Sequence, residues 1–211
     1  IRLLSEAIRD AAEIEDKKSL NLFIDRLDNE AERLQRLVID LLDLSRLEET
    51  PDPDRCPRTD LHSAIVTSFM AHKGEAEDKH LDLVLDDRSV TGDDCYADME
   101  PSDASLVFDN LIENAIMYTD EGSILVTFEP RGHEIAVIVQ DTGIGIPQTD
   151  QSRIFERFYR VDKARSREVG GTGLGLSLVR HAVERSKGRV SVKSNPGEGS
   201  QFTVVFPRAK R

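Results

Sequence analysis

Hydrophobic positions along residues 1–49 recur at steps of three and four, the spacing of one helical face. Ile1, Leu4, Ile8 and Ala11 mark a first stripe, the charged stretch Glu13 to Lys18 interrupts it, and Phe23, Leu27, Ala31, Leu34 and Leu37 to Leu47 carry a second. The pattern predicts two amphipathic helices in an antiparallel hairpin. Two helices alone cannot hide so long a stripe, which points to a four-helix bundle made by two chains; packing on the chain's own C-terminal part is the alternative. Thr50-Pro51-Asp52-Pro53-Asp54 then cannot continue a helix, because proline lacks the amide and disfavours helix before it.

Beyond this break the pattern alternates in type. Leu61 to Glu77 and Asp103 to Tyr118 read as helices, Leu81 to Leu85 as a strand, and Ser123 to Glu129 and Glu134 to Gln140 as two strands about the turn Pro130 to His133. Residues 147–171 show little periodicity. Leu174 to Ser186 returns to helix, followed by strands Arg189 to Ser194 and Gln201 to Phe206 about Asn195-Pro196-Gly197. The expected fold is α+β: a helical hairpin over residues 1–50, a linker over 51–58, and a two-layer α/β sandwich with mostly antiparallel strands over 59–211.

Composition narrows the classes. The net charge of −12 argues against broad nucleic-acid binding, yet Arg153 to Arg211 hold 14 basic against 5 acidic residues, leaving 14 against 35 before them. A basic segment confined to one region suits a single compact anion. No segment approaches the run of about 18 apolar residues that a membrane span needs, so no membrane contact is expected within these residues. The two cysteines, Cys56 and Cys95, sit in no metal-ligand spacing and read as reduced cytosolic thiols. The chain opens at Ile1 without an initiator methionine and reads as cut from something longer.

Three clusters carry chemistry. Asn110 and Asn114 are four residues apart, so both amides project from one helical face, where an amide oxygen can help hold a hard cation such as Mg²⁺; local hydrogen bonding is the plainer alternative. Asp141-Thr142-Gly143-Ile144-Gly145-Ile146 follows a strand, and an aspartate there can accept from an exocyclic amine of the kind adenine offers while glycines let a ligand approach. Gly170-Gly171-Thr172-Gly173-Leu174-Gly175-Leu176 opens into a helix, whose terminal amides suit phosphate. It lacks the Lys-Ser/Thr of a Walker loop and the preceding strand of a dinucleotide fold. Between the last two, Phe155, Phe158 and Tyr159 could anchor a lid whose Arg160 and Lys163 face an anion.

In this order and spacing the clusters closely resemble the catalytic domain of sensor histidine kinases, within the GHKL ATPase superfamily. Asn110 to Tyr118 is similar to the N box, Asp141 to Ile146 to the G1 box, Phe155 to Phe158 to the F box and Gly171 to Leu176 to the G2 box; Ala31 to Glu48 resembles the second helix of the dimerisation hairpin. The resemblance implies ATP and Mg²⁺ as ligands. Asn114 would coordinate the metal with Asn110 supporting it, and Asp141 would bind the adenine amino group in a pocket shaped by Gly143, Gly145 and Ile146. Tyr118 would lie against the nucleotide. Gly171, Thr172 and Leu176 would flank the amides of Gly173, Leu174 and Gly175 that receive phosphates, and Arg160 and Lys163 would face the γ-phosphate.

The implied reaction moves the γ-phosphoryl onto a histidine and then to an aspartate on a response regulator receiver domain. It implies a homodimer through the hairpin and a cytoplasmic portion of a membrane-anchored receptor. Two departures stand out. Met117 occupies the place of the family's phosphate-contacting lysine, and the acceptor histidine, expected about nine residues before the match to Ile1, is not among His62, His72, His80, His133 and His181. Rival readings are an ATP-hydrolysing GHKL enzyme, disfavoured because its water-activating glutamate is replaced by Asn110, with Glu113 about 100° around the helix from Asn114, and a non-catalytic nucleotide-sensing scaffold, suggested by Met117.

Overall fold

The computed structural model describes residues 17–49, 57–89, 95–161 and 171–209 together with Ile8. The first helix of the expected hairpin, residues 51–56 of the linker, Cys56, Lys163 and Gly170 lie outside them. Contacts divide the chain into two compact units, Ile1–Asp43 with Asp162–Thr172, and Leu44–Val161 with Gly173–Arg211.

The smaller unit is dominated by the greater part of helix α1, Lys17–Glu48. Leu22, Leu34, Val38, Ile39 and Leu42 stand exposed along it. Arg33 pairs with Glu30 one turn earlier at 3.2 Å, and Asp40 accepts a hydrogen bond from the Thr172 hydroxyl at 2.5 Å.

The larger unit runs β1 (Arg58–Asp60), α2 (Leu61–Asp78), β2 (Asp82–Asp86), β3 (Tyr96–Asp98), α3 (Pro101–Tyr118), β4 (Ser123–Arg131), β5 (Glu134–Asp141), α4 (Gly175–Arg185), β6 (Arg189–Asn195) and β7 (Gly199–Pro207). Local chemistry sets the helix ends. The Asp60 carboxylate accepts from the amides of His62 and Ser63 at the start of α2, and Pro101 opens α3, where its missing amide costs nothing. Lys79 donates its ammonium to the Ile116 carbonyl at the far end of α3, a favourable place for a cation.

A five-stranded sheet in the order β2-β4-β5-β7-β6 forms one layer. Ile124, Val126 and Phe128 of β4 point into the core while Leu125 and Glu129 face outward, the alternation that the sequence shows. Val107, Leu111 and Ile112 of α3 and Leu178, Val179 and Ala182 of α4 join the same core, and Phe108 of α3 meets Phe206 of β7 edge to face at 6.5 Å. Each such side chain contributes about 1.5–3 kcal/mol by leaving water.

The structure departs from the sequence expectation in detail. β2 pairs parallel with β4, so the sheet is mixed; a parallel pair needs a long crossover, and α3 supplies it. Pro130 and Arg131 belong to β4, leaving a two-residue turn, Gly132-His133, with Gly132 at φ +63°. A small antiparallel sheet of β1 and β3 was not foreseen; it takes in Arg58, which the sequence reading placed in the linker.

The last turn of α1 belongs to this larger unit. Leu47 is 2% exposed, Glu48 accepts from Arg157 at 2.8 Å, and Arg185 donates to the carbonyls of Arg46 and Leu47. Asp103, 2% exposed, lies 3.1 Å from the Arg46 guanidinium and 3.9 Å from that of Arg185. Asp103→Ala removes the buried acceptor of two partly exposed arginines and is expected to lower stability by about 1.5–3 kcal/mol, the worth of a hydrogen bond to a charged group, read as a fall in the urea midpoint.

Candidate functional site

The larger unit holds the asparagine helix, the loop after Asp141, the segment from Phe155 to Arg160 and the start of the helix after Gly173. The centre is Asp141, the last residue of β5, with 5% of its surface exposed. Its Oδ1 accepts from the amide of Gly143 at 2.9 Å and from that of Ser200 at 3.1 Å. Both bonds fall on the same oxygen, and among the described residues no donor is recorded for Oδ2. Burial pushes the carboxyl above its ordinary range, and the two amides pull it partly back. Asp141 is thus a desolvated acceptor with both of its amide bonds on one oxygen.

The neighbouring glycines are there because backbone comes too close. A Cβ on Gly143 would collide with the carbonyl of Tyr118 and one on Gly199 with that of Asp141. Gly145, at φ +69°, faces the carbonyl of Asn195 in the same way. Tyr118, the half-buried last residue of α3, accepts from the Ile144 amide at 3.1 Å, which ties the end of that helix to the loop after Asp141. Ile146 closes the loop, half-buried.

Asn110 and Asn114 lie on one face of α3, as their spacing requires. Asn110 Nδ2 donates to the Leu106 carbonyl at 2.9 Å, and Asn114 Nδ2 to the Asn110 carbonyl at 2.6 Å. Each amide nitrogen thus gives one hydrogen bond to the turn before it, which holds both side chains to this face. Asn110 Oδ1 lies against Gly175, where a Cβ would overlap it, so the first turn of α4 seats directly on the asparagine face. The N-cap of α4 is Leu174, with no side-chain cap, and the start of a helix is the end that favours an anion. Neutral amide oxygens beside such a terminus suit Mg²⁺, a hard cation that keeps its waters and takes its charge balance from phosphates.

Phe158 donates its amide to the Gly173 carbonyl at 2.8 Å. Phe155 packs edge to face on Phe202 at 6.5 Å, and the Tyr159 hydroxyl donates to Asp150 at 2.5 Å, so these two anchor the segment. Phe158, at φ +62°, does not; its side chain is 60% exposed. Arg160 follows, half-buried, and Met117 is half-buried on α3.

The larger unit thus brings together Asn110, Asn114, Tyr118, Asp141, Gly143, Gly145, Ile146, Arg160, Gly173, Leu174, Gly175 and Leu176. Gly171 and Thr172 fall in the smaller unit. The sequence reading missed Gly199 and Ser200. Their signal was Gly199 just past the turn Asn195-Pro196-Gly197, a second glycine to which the sequence reading gave no role.

Residues 99–210 match the family of histidine kinase-, DNA gyrase B- and HSP90-like ATPases. Among curated relatives, the sensor-like histidine kinase SenX3 of Mycolicibacterium smegmatis is 36% identical over 209 residues, 97% of this chain and 52% of that protein. The sensor histidine kinase RppB of Synechocystis is 38% identical over 192 residues, 89% of this chain and 41% of that protein. The chain spans about half the length of the curated relatives it matches. Among solved structures, full-length ShkA in complex with AMPPNP aligns at TM-score 0.74 and 23% identity over 100% of this chain and 44% of that one. The Acinetobacter baumannii histidine kinase AdeS aligns at 0.70 and 22% identity over 99% and 97%. At these identities the structural likeness speaks to the fold, while the family match and the curated relatives speak to kinship. The chain belongs to the histidine kinase-, DNA gyrase B- and HSP90-like ATPase family, among its sensor histidine kinases.

Proposed function

We propose that this chain is the kinase core of a sensor histidine kinase, binding MgATP and passing its γ-phosphoryl to a histidine. The observation that carries the reading is the Asp141 carboxylate, buried at the end of β5 with both of its amide bonds on Oδ1. The carboxylate takes the exocyclic amine of adenine, Gly143, Gly145 and Ile146 shape its pocket, and Tyr118 lies against the nucleotide. The amides of Gly173, Leu174 and Gly175 receive phosphates, flanked by Gly171, Thr172 and Leu176, while Arg160 and Lys163 neutralise the γ-phosphate. Asn114 holds the metal and Asn110 braces it. Bound Mg²⁺ would supply charge neutralisation on the phosphate chain.

In the transfer the bond between the γ-phosphorus and its bridging oxygen breaks, a P–N bond to imidazole forms, ADP keeps the electron pair, and the imidazole proton passes to solvent. Positioning and charge neutralisation dominate such a step, and no protein base among these residues is required. The acceptor belongs to the first helix of the hairpin, ahead of the segment matched by Ile1, and relay continues to an aspartate of a response regulator. The apolar residues exposed along α1 support a homodimer through a hairpin of residues 1–50, with 51–58 as linker and 59–211 as the ATP-binding domain. We place the whole as the cytoplasmic portion of a membrane-anchored receptor. Among the described residues no helix is long and apolar enough to cross a membrane.

Mg-ADP at about a hundredfold excess over Kd should stabilise the fold by about 2.7 kcal/mol, seen as a raised melting temperature. Asp141→Asn keeps an acceptor for Gly143 and Ser200 but presents a donor to the adenine amine, so the rise should vanish. A wild-type chain without a rise would remove the pocket. A chain extended through the acceptor segment and given labelled ATP should gain acid-labile label; an unlabelled product, with binding intact, would leave a nucleotide-sensing scaffold.

The raised Asp141 carboxyl also fixes a sign. The folded state holds this proton more tightly than the unfolded one, so ionised Asp141 costs stability at neutral pH, and the cost is relieved as pH falls through the raised value. Without nucleotide, Asp141→Asn should therefore melt no lower than wild type at pH 7. Wild-type ADP affinity should start to fall, on acidification, above the ~3.9 of an ordinary aspartate, and titrations across that range would show it.

A further inference from the structure

The loop from Asp141 to Ile146 is fastened at both ends by two side chains that neither the family boxes nor the proposed pocket include. Ser194, near the end of β6, accepts from the Ile146 amide at 2.7 Å and donates its hydroxyl to the Gly199 carbonyl at 2.7 Å. Its remaining lone pair meets the Ser200 hydroxyl at 3.0 Å, so every position of the Ser194 hydroxyl is filled. Ser200 in turn gives its amide to Asp141 Oδ1. Gln151 spends both amide hydrogens on the same joint, donating to the Ile146 carbonyl at 3.0 Å and to the Ser194 carbonyl at 2.8 Å. Between them the Gly197 amide donates to the Ile144 carbonyl at 2.8 Å.

We propose that Ser194 and Gln151 are positioning residues that set purine selectivity by fixing the direction of the Asp141 carboxylate. The inference rests on the reading of Asp141 as the purine contact. Oδ2 faces a ligand only because Oδ1 is pinned by Ser200 on one side and Gly143 on the other. Ser194 ties Ser200 and Gly199 at the start of the loop to Ile146 at its end. Gln151 holds that end against β6, so the loop returns along one path and Gly143 stays under the carboxylate. If either tie is removed, the carboxylate can turn, and the ligand that suffers is the one that depends on a single directed hydrogen bond. A site built around one such bond discriminates strongly against an analogue that cannot form it.

Inosine diphosphate is that analogue, because it carries an oxygen where ADP carries the exocyclic amine. The wild-type chain should prefer Mg-ADP to Mg-IDP in calorimetric titrations. Gln151→Leu, at a half-buried turn, and Ser194→Ala should weaken ADP by about threefold to tenfold, the worth of one lost hydrogen bond, and leave IDP at its wild-type value, so the preference narrows. Ser194→Thr keeps the hydroxyl and should restore it. A merely structural role would weaken both nucleotides together and keep their ratio. Variants that fold and retain the wild-type ratio overturn the proposal; should Ser194→Ala not fold, Gln151→Leu decides alone. A wild-type chain that binds neither nucleotide, or both equally, overturns the purine reading of Asp141 and this proposal with it.

Discussion

A carboxylate taken out of water at the end of a central strand is the interaction on which this site depends. Burying an ionised group is expensive unless hydrogen bonds replace its hydration. Asp141 receives two amide bonds, both on one oxygen, and its raised affinity for a proton shows that they do not fully offset the loss of water. The deficit makes the other oxygen a strong acceptor for any donor that reaches it. Much of the surrounding sequence follows from that arrangement. The β5–β7 register sets Asp141 opposite Ser200, Gly199 is without a side chain because the Asp141 carbonyl occupies its place, and Gly143 is so because the Tyr118 carbonyl does.

The helices answer a second demand, the close approach of α4 to α3. Gly175 allows it, since any larger residue would displace the Asn110 amide. The approach carries electrostatic meaning, because it lays the electropositive start of one helix beside the polar face of another. Each asparagine also gives one amide hydrogen bond to α3 itself, so the helix holds both side chains on that face without help from a ligand.

Short-range features of this geometry were legible in the sequence. Asn110 and Asn114 had to share a face, Asp141 had to stand at a strand end, and the glycines before Leu176 had to open a helix, because each follows from local periodicity or backbone freedom. Features that depend on long-range pairing were not. Ser200 reaches Asp141 across 59 residues and only through strand register. β1 and β3, three residues each, are too short to show alternation, and the parallel pairing of β2 depends on a crossover that no local pattern encodes. The ion pair of Asp103 with Arg46 looks on paper like ordinary surface charge, since burial is not a property of either residue alone.

That ion pair also ties the end of α1 to the larger unit. Leu47 is buried in the ATP-binding body and Arg46 is paired there, so the last turn of α1 moves with that body as long as the contacts hold. Freeing that turn would uncover Leu47, whose burial is worth about 1.5–3 kcal/mol, and would leave the buried Asp103 carboxylate with Arg185 alone. The end of α1 is therefore fastened by apolar burial and by charge together, and neither is visible in the helical periodicity that marks the rest of the helix.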